Sequence, residues 1–322
     1  MLGDAAVIHL LYSAVLFVFG LAAGSFLNVV VYRAPLERSL LNPPSSCPAC
    51  GGVIAWYDNI PVISWMILGG KCRRCRTPIS WRYPAVELLT GVLWAAEGWR
   101  LAAYDFGPVR NAAMGVLELY FISALIATIF IDYDWQIILD EISLGGTGIA
   151  VAASAFLPEL HAAETPAAFY HRNYELYSLV GHLPAWLRGL SASALGAVFG
   201  AALVLVLYFL GGIAMRKQIE KARREDPEID SVFGLGDVKL MACMGAFLGW
   251  RGALLLFMLG VFLAAVAGSI LKLASGDAGG KPGIAGLTER WRTGQSVLPF
   301  GPFLAVGAFV ILFARYGAGP PP

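Results

Sequence analysis

The sequence predicts an all-α polytopic membrane protein with about eight transmembrane helices and a zinc-binding cytoplasmic loop. Of its 322 residues, 58% are hydrophobic and only 14% are charged, whereas a soluble domain carries about 25% charged residues. Apolar stretches approach the roughly 20 residues that cross a bilayer, and they recur along the whole chain. The net charge of +1 creates no general attraction for nucleic acid, so the expected surroundings are a lipid bilayer and no nucleic-acid partner.

Eight apolar segments are candidates for the helices. The first lacks the basic residues that precede the apolar part of a cleaved signal peptide, so we interpret it as a retained helix. The sixth is shorter than a full span. The eight segments cover residues 7–32, 85–104, 113–131, 142–160, 192–214, 238–250, 253–273 and 297–315.

The distribution of basic residues predicts the orientation of the chain. The first of them, Arg33, follows the first apolar segment. With the N-terminus outside, 17 of the 23 Lys and Arg residues fall in segments on the inner side, as the positive-inside rule requires. The chain therefore divides into a first transmembrane helix at 1–32, a cytoplasmic loop at 33–84 and a helical membrane region at 85–322. That last region contains an outside loop at 161–190 and a charged cytoplasmic extension at 215–231.

Four of the five cysteines lie in the cytoplasmic loop, as two C-x-x-C pairs with 21 residues between them. Each pair offers two thiolates from one tight turn, and two such turns can close a tetrahedral zinc site with no open position. Glycine pairs at 51–52 and 69–70 supply backbone freedom for these turns. The alternative of two disulfides would require an oxidising compartment. The predicted structural zinc ligands are Cys47, Cys50, Cys72 and Cys75.

Acidic residues at the ends of two distant apolar segments suggest a catalytic pair. Asp132 ends the third segment and Asp237 begins the sixth, both on the predicted cytoplasmic side. Two close carboxylates share a proton, so one can activate water while the other polarises a carbonyl group. Gly234 and Gly236 would permit close approach of a substrate and a non-helical backbone at this depth. Asp134, Asp140 and Lys239 are candidate supporting residues.

Simpler roles remain open for these residues. A carboxylate at a helix N-terminus is stabilised by the helix dipole, so Asp237 could act only as a cap. Lys239 could extend its ammonium group to the membrane surface. Asp134, Asp140 and Glu141 could be solvated residues at the interface.

Taken together, the motifs resemble those of the prepilin peptidases, which are membrane aspartic proteases of bacterial type IV pilus and type II secretion systems. Matching stretches include GSFLNVVVYR, CPAC, RYPAVELLTG, IDYDWQIILD, GLGDVKLMA and LPFGPFLA. The match spreads over nearly the whole chain and follows the order of the family's motifs. One departure is Ile138, Leu139 and Asp140, where the family often has Leu-Pro-Asp.

The resemblance implies that Asp132 and Asp237 are the catalytic aspartates and that 85–322 is the peptidase domain. It also implies removal of a short basic leader from prepilins or pseudopilins, at the cytoplasmic face of the bacterial inner membrane. Many members then methylate the new N-terminal amine with S-adenosylmethionine. We place this second activity near the 33–84 loop and its flanking helices, with Asn28 and Glu87 as candidate methyl-donor residues. Helix–helix hydrogen bonding is an equal alternative for both side chains.

Two other functions remain open. Carboxylates inside a membrane also build ion or proton pathways, so the chain could be a transporter with a zinc-ribbon cap. It could also be a peptidase that lacks the methyltransferase activity.

Overall fold

The structure, a computed structural model, describes residues 4–103, 107–158, 160–161, 183–214, 234–274 and 300–314. Within these ranges it is almost entirely helical and has no strand, which confirms the predicted all-α class. Most of the predicted 161–190 loop and the whole 215–231 extension lie outside the described residues.

The helices follow the predicted apolar segments closely. They are α1 (Asp4–Arg33), α2 (Ile63–Ile67), α3 (Arg82–Leu101), α4 (Pro108–Trp135), α5 (Asp140–Phe156), α6 (Ala185–Ala214), α7 (Leu235–Ala274) and α8 (Gly301–Ala314). Of these α-helices, only the short α2, inside the 33–84 loop, has no counterpart among the predicted apolar segments.

Four of the described helices, α1, α4, α6 and α7, are long and apolar enough to cross a membrane. The predicted sixth and seventh spans form the single helix α7, which is interrupted at Gly249 with φ 72° and ψ 176°. Glycine adopts such a positive φ at little cost, so the boundary between these two spans is a kink. The membrane class is therefore confirmed, and the count of eight spans stays a prediction.

The described chain forms two compact units, 1–131 and 132–317. In the first unit, α1 packs on α3 through small residues. A Cβ added at Gly24 would lie 2.6 Å from the Glu87 Cα, and one added at Gly20 would lie 2.9 Å from the Gly91 Cα. Such a close approach is typical of small-residue packing between membrane helices, so Gly20 and Gly24 serve packing.

The first unit also buries an ionic cluster. Arg100 Nη1 lies 2.7 Å from Glu97 Oε2, and Arg100 Nη2 lies 3.6 Å from Glu118 Oε1. All three side chains are at least nine-tenths buried. Charges inside a membrane protein are tolerated when they are paired in this way. The sequence pattern did not predict this cluster.

In the second unit, α6 and α7 cross at very short range. A Cβ added at Gly196 would overlap the carbonyl oxygen of Gly245, and one added at Gly245 would overlap that of Gly196. Beside this point the hydroxyl of Ser193 donates a hydrogen bond of 2.9 Å to the Ala246 carbonyl. Cys243, the cysteine outside the loop, is buried in α7.

Candidate active site and metal site

Asp132 lies in the last turn of α4 and is only 6% exposed. Its Oδ2 accepts a hydrogen bond of 3.0 Å from the backbone N–H of Gly301, the first residue of α8. The N-terminus of a helix carries partial positive charge, which favours a nearby carboxylate. Gly301, which is 169 positions further along the chain, therefore provides the hydrogen-bond donor for one oxygen of this buried carboxyl group.

Asp237 lies in the first turn of α7. Its Oδ2 accepts a hydrogen bond of 3.2 Å from the Gly234 N–H, and its own N–H donates to the Gly234 carbonyl at 3.1 Å. Asp237 therefore has the capping role left open for it. Its carboxyl group also lies within electrostatic range of that of Asp132.

The two glycines before Asp237 have different surroundings. Gly234 lies outside the helix and Gly236 lies inside it, so a non-helical backbone is present at Gly234 and absent at Gly236. A Cβ at Gly236 would lie 3.2 Å from the Ile138 Cβ, whereas a Cβ at Gly234 would meet no atom closer than 3.8 Å. Gly236 therefore packs tightly against the segment that joins α4 to α5. That segment is also where the chain departs from the family's proline motif.

Two of the supporting residues form an ion pair. Lys239 Nζ in α7 lies 2.7 Å from Asp140 Oδ1 at the start of α5. Both side chains are partly exposed, at 38% and 58%. Asp134 follows Asp132 by two residues on α4 and is half-buried. Positions i and i+2 of a helix do not face each other, so Asp134 projects from a different side of α4.

The four loop cysteines converge, as the sequence predicted. Their sulfur atoms all lie within 4.8 Å of one another, and the Sγ atoms of Cys47 and Cys75 are 3.8 Å apart. Zinc–sulfur bonds of about 2.3 Å in a tetrahedron place the sulfurs about 3.8 Å apart. All four cysteines are free, which argues against the alternative of two disulfides. The cluster therefore fits a four-coordinate metal ion.

The two cysteine turns repeat the same backbone pattern. In each, the N–H of the first cysteine donates to the carbonyl five residues later at 2.9 Å. In each, the residue after the second cysteine has a left-handed backbone, with φ 65° at Gly51 and 60° at Arg76. The predicted need for backbone freedom is confirmed at Gly51. Arg76 adopts the same conformation without being glycine.

Hydrogen bonds favour the thiolate form of Cys75. The Thr77 hydroxyl lies 3.2 Å from the Cys75 sulfur, and bonds from the hydroxyl and backbone N–H of Thr77 lower the pKa of Cys75 to about 6. Nearby, Arg73 forms a two-pronged ion pair with Asp58, in which Nε lies 2.7 Å from Oδ2. The hydrogen bonds and positive charge of Arg73 lower the pKa of Asp58. The loop is therefore braced independently of the metal.

Asn28 and Glu87 are both engaged in hydrogen bonds within the first unit. The Asn28 amide donates to the Tyr83 carbonyl of α3 at 3.1 Å, and Glu87 Oε2 accepts the Val62 N–H at 2.7 Å. Val62 has a φ of 61°, which is unusual for a β-branched residue. Glu87 thus stabilises a strained turn of the loop. Asn28 thus makes a hydrogen bond between α1 and α3, and Glu87 makes one with Ser25 of α1.

Gly301 is the residue of the site that sequence reasoning missed. It lies in the LPFGPFLA stretch, which we used only as evidence of resemblance. One sequence pattern could have indicated it: Gly301 stands directly before Pro302 at the start of an apolar segment. A helix that begins there presents unbonded backbone N–H groups.

The fold and these two sites define a helical membrane protein with two acidic side chains at helix ends, Asp132 buried and Asp237 partly buried, and a four-cysteine cluster. Residues 18–101 match the bacterial peptidase A24 N-terminal domain, and residues 119–269 match the type IV leader peptidase family. The second match contains both aspartates. The chain belongs to the type IV leader peptidase family, and the resemblance noted in the sequence is confirmed.

Three relatives are each named prepilin leader peptidase/N-methyltransferase. The Myxococcus xanthus protein is 34% identical over 84% of this chain and 66% of its own length. The Burkholderia pseudomallei (strain 1026b) protein is 31% identical over 92% and 83%, and the Aeromonas hydrophila protein is 29% identical over 94% and 90%. No solved structure matches the chain.

Proposed function

We propose that this protein is a membrane aspartic endopeptidase that removes the leader peptide from type IV prepilins or type II secretion pseudopilins. The family match and the names of the relatives support the reaction. The observation that carries the proposal is the electrostatic interaction of Asp132 with Asp237, two acidic residues from distant parts of the chain. Acidic residues at membrane depth usually mark a functional site.

The reaction needs one ionised and one protonated carboxyl group. The ionised group removes a proton from water, whose oxygen attacks the scissile carbonyl carbon, and the protonated group donates a hydrogen bond to the carbonyl oxygen. Because the two groups interact, they titrate as a pair, and the role of base belongs to the pair. One oxygen of each is already bonded to a backbone N–H, which fixes the orientation of both.

Zinc is the proposed ligand of Cys47, Cys50, Cys72 and Cys75. A bound zinc ion would cross-link the two turns of the loop and would leave no position open for substrate. We therefore assign it a structural role and derive no chemical step from it. The sulfur distances given above are what support this assignment.

The proposal extends to methylation of the new N-terminus, because the relatives carry N-methyltransferase in their names. The methyl donor would be S-adenosylmethionine. Asn28 and Glu87 stay candidates for its surroundings, but the polar atoms described above already bond within the first unit. The two side chains do not by themselves form a cofactor site, so no step is derived from them.

The proposed location is the bacterial inner membrane, with the N-terminus outside and the aspartates near the cytoplasmic face. The excess of basic residues in the segments on that side supports this orientation. A prepilin leader is cleaved on the same side according to the family resemblance.

The decisive experiment uses the purified full-length protein in lipid and a synthetic prepilin leader substrate. Asp132→Asn and Asp237→Asn should each lower kcat by about 10²- to 10⁴-fold, because each removes an acid–base group. Glu141→Gln is the matched control, since it neutralises an exposed carboxylate at the start of α5 and should leave cleavage unchanged.

Full activity in either aspartate variant would refute the assignment. Ion flux in proteoliposomes that required Asp132, without peptide cleavage, would support the transporter alternative. Mass spectrometry of the product with and without S-adenosylmethionine would separate a bifunctional enzyme from a peptidase alone.

A further inference from the structure

We infer that Gly301 is a positioning residue for Asp132, acting through its backbone N–H and through its lack of a side chain. The inference rests on the proposed function, because it concerns one of the two aspartates assigned there. It adds a third segment of the chain, the start of α8, to the site.

A backbone hydrogen bond holds the carboxyl group of Asp132. Gly301 N–H donates to Asp132 Oδ2 at 3.0 Å, and both residues are buried. The N-terminus of α8 also adds its partial positive charge on the Oδ2 side. The hydrogen bond therefore restrains the orientation of the Asp132 carboxyl group.

The space around Gly301 is too small for a side chain. A Cβ at this position would lie 2.5 Å from Asp132 Oδ2 and 3.2 Å from its Cγ. Non-bonded carbon and oxygen atoms do not approach so closely, so even alanine would force the carboxyl group or the start of α8 to move. A displacement of about 1 Å in a catalytic group can cost about 10²-fold in rate.

Gly234 and Gly307 differ from Gly301 in one respect each. Gly234 donates in the same way to Asp237, but a Cβ there would have no neighbour within 3.8 Å. Gly307 lies on the same helix as Gly301, and a Cβ there would lie 3.0 Å from the Leu256 side chain. Among the glycines that the structure describes, Gly301 alone combines a hydrogen bond to one of the two proposed catalytic carboxyl groups with a Cβ position closer than 3.0 Å to that group.

The test compares Gly301→Ala with the matched variant Gly307→Ala on the same prepilin leader substrate. Gly301→Ala should lower kcat by about 10- to 100-fold and leave KM nearly unchanged, because the substrate contacts are retained while a reacting group is misplaced. Gly307→Ala should change neither constant by more than about twofold, since only a side chain has to adjust.

A wild-type kcat in Gly301→Ala beside an inactive Asp132→Asn would overturn the inference alone. An equal loss in Gly301→Ala and Gly307→Ala would also overturn it, because general packing of α8 would then explain the effect. Activity in Asp132→Asn would overturn the proposed function, and the inference with it.

If Gly301→Ala does not fold, the hydrogen bond can be observed directly. The amide proton of isotope-labelled Gly301 should lie downfield in the unmodified protein and move upfield in Asp132→Ala, which removes the acceptor. The Gly307 amide is the internal reference. An unchanged Gly301 amide would overturn the inference whether or not the protease assignment is correct.

Discussion

The four-cysteine loop and the two-aspartate site differ in how they are assembled. The four cysteines all lie between residues 47 and 75, in two turns with the same hydrogen-bond pattern. The aspartates come from α4 and α7, and the group that holds Asp132 comes from α8. The first site can form within one short segment, whereas the second exists only after three helices have packed.

This difference has consequences for stability. Closing a short loop around a metal costs little chain entropy, and metal binding itself supplies folding free energy. The aspartate site has to bury carboxyl groups, which is unfavourable unless packing and hydrogen bonds compensate. The loop should therefore depend on its metal and on local contacts such as the Arg73–Asp58 ion pair, and the aspartate site chiefly on helix packing.

The largest expected effect comes from removing both aspartates and measuring the peptidase activity together with the zinc content of the loop. We expect the double variant Asp132→Asn/Asp237→Asn to lose no more activity than either single variant, a loss of about 10²- to 10⁴-fold. The two groups work as a unit, so removing the second adds little. Elemental analysis should still find close to one zinc per chain. A large loss of zinc would contradict the independence of the two sites.

The reverse test is Cys72→Ser, with Cys243→Ala as its control. Removing one of four ligands should abolish most zinc binding, because structural zinc sites of about 10–16 kcal/mol depend on the complete ligand set. Cys243 is a core residue outside the cluster, so its variant should keep the metal. Limited proteolysis should cut the 33–84 loop faster only in Cys72→Ser. Equal zinc content in the two variants would rule out the four-cysteine site.

Helix packing in the second unit is tested by Gly196→Ala. The added methyl group would overlap the Gly245 carbonyl, and such overpacking costs about 1–3 kcal/mol. Gly148→Ala on α5 is the control, because an added Cβ there meets nothing within 4 Å. Thermal unfolding in detergent should show a lower midpoint for Gly196→Ala alone. Equal midpoints would mean that α6 and α7 can separate without cost.

The smallest effect is expected from the ion pair between Lys239 and Asp140. Both side chains are partly exposed, and pairs of this kind contribute about 0–1 kcal/mol. Lys239→Met should therefore change unfolding and cleavage only slightly. The exchanged variant Lys239→Asp/Asp140→Lys should recover part of any loss. A collapse of activity in Lys239→Met, with normal stability, would instead assign the ammonium group a direct part in the reaction.

Much of this organisation could be predicted from residue patterns. The apolar segments predicted the helices, and the two C-x-x-C pairs predicted a cluster whose sulfurs do converge. Asp132 and Asp237 were predicted as a pair from their positions at the ends of apolar segments. Their pairing and their catalytic roles stay predictions that the experiments above test.

Other features required the structure because they depend on contacts between distant residues. The non-helical backbone of Gly249 separates the two helical stretches of α7, close to the boundary predicted between 250 and 253. The burial of Arg100 between Glu97 and Glu118 depends on α3 packing against α4, which no local pattern encodes. Glu87 looked like a candidate for binding a methyl donor, yet its carboxylate stabilises the turn at Val62.

By itself, the sequence determined that this is a helical membrane protein, that four thiols converge in one loop, and that two acidic residues lie at helix ends. These properties follow from composition and from short spacings, which act over a few turns of the chain. Only the tertiary structure decided that Gly301 would donate to Asp132, that Lys239 would pair with Asp140, and that Gly196 would meet Gly245. Such contacts form between helices far apart in the chain, where close packing decides which groups meet.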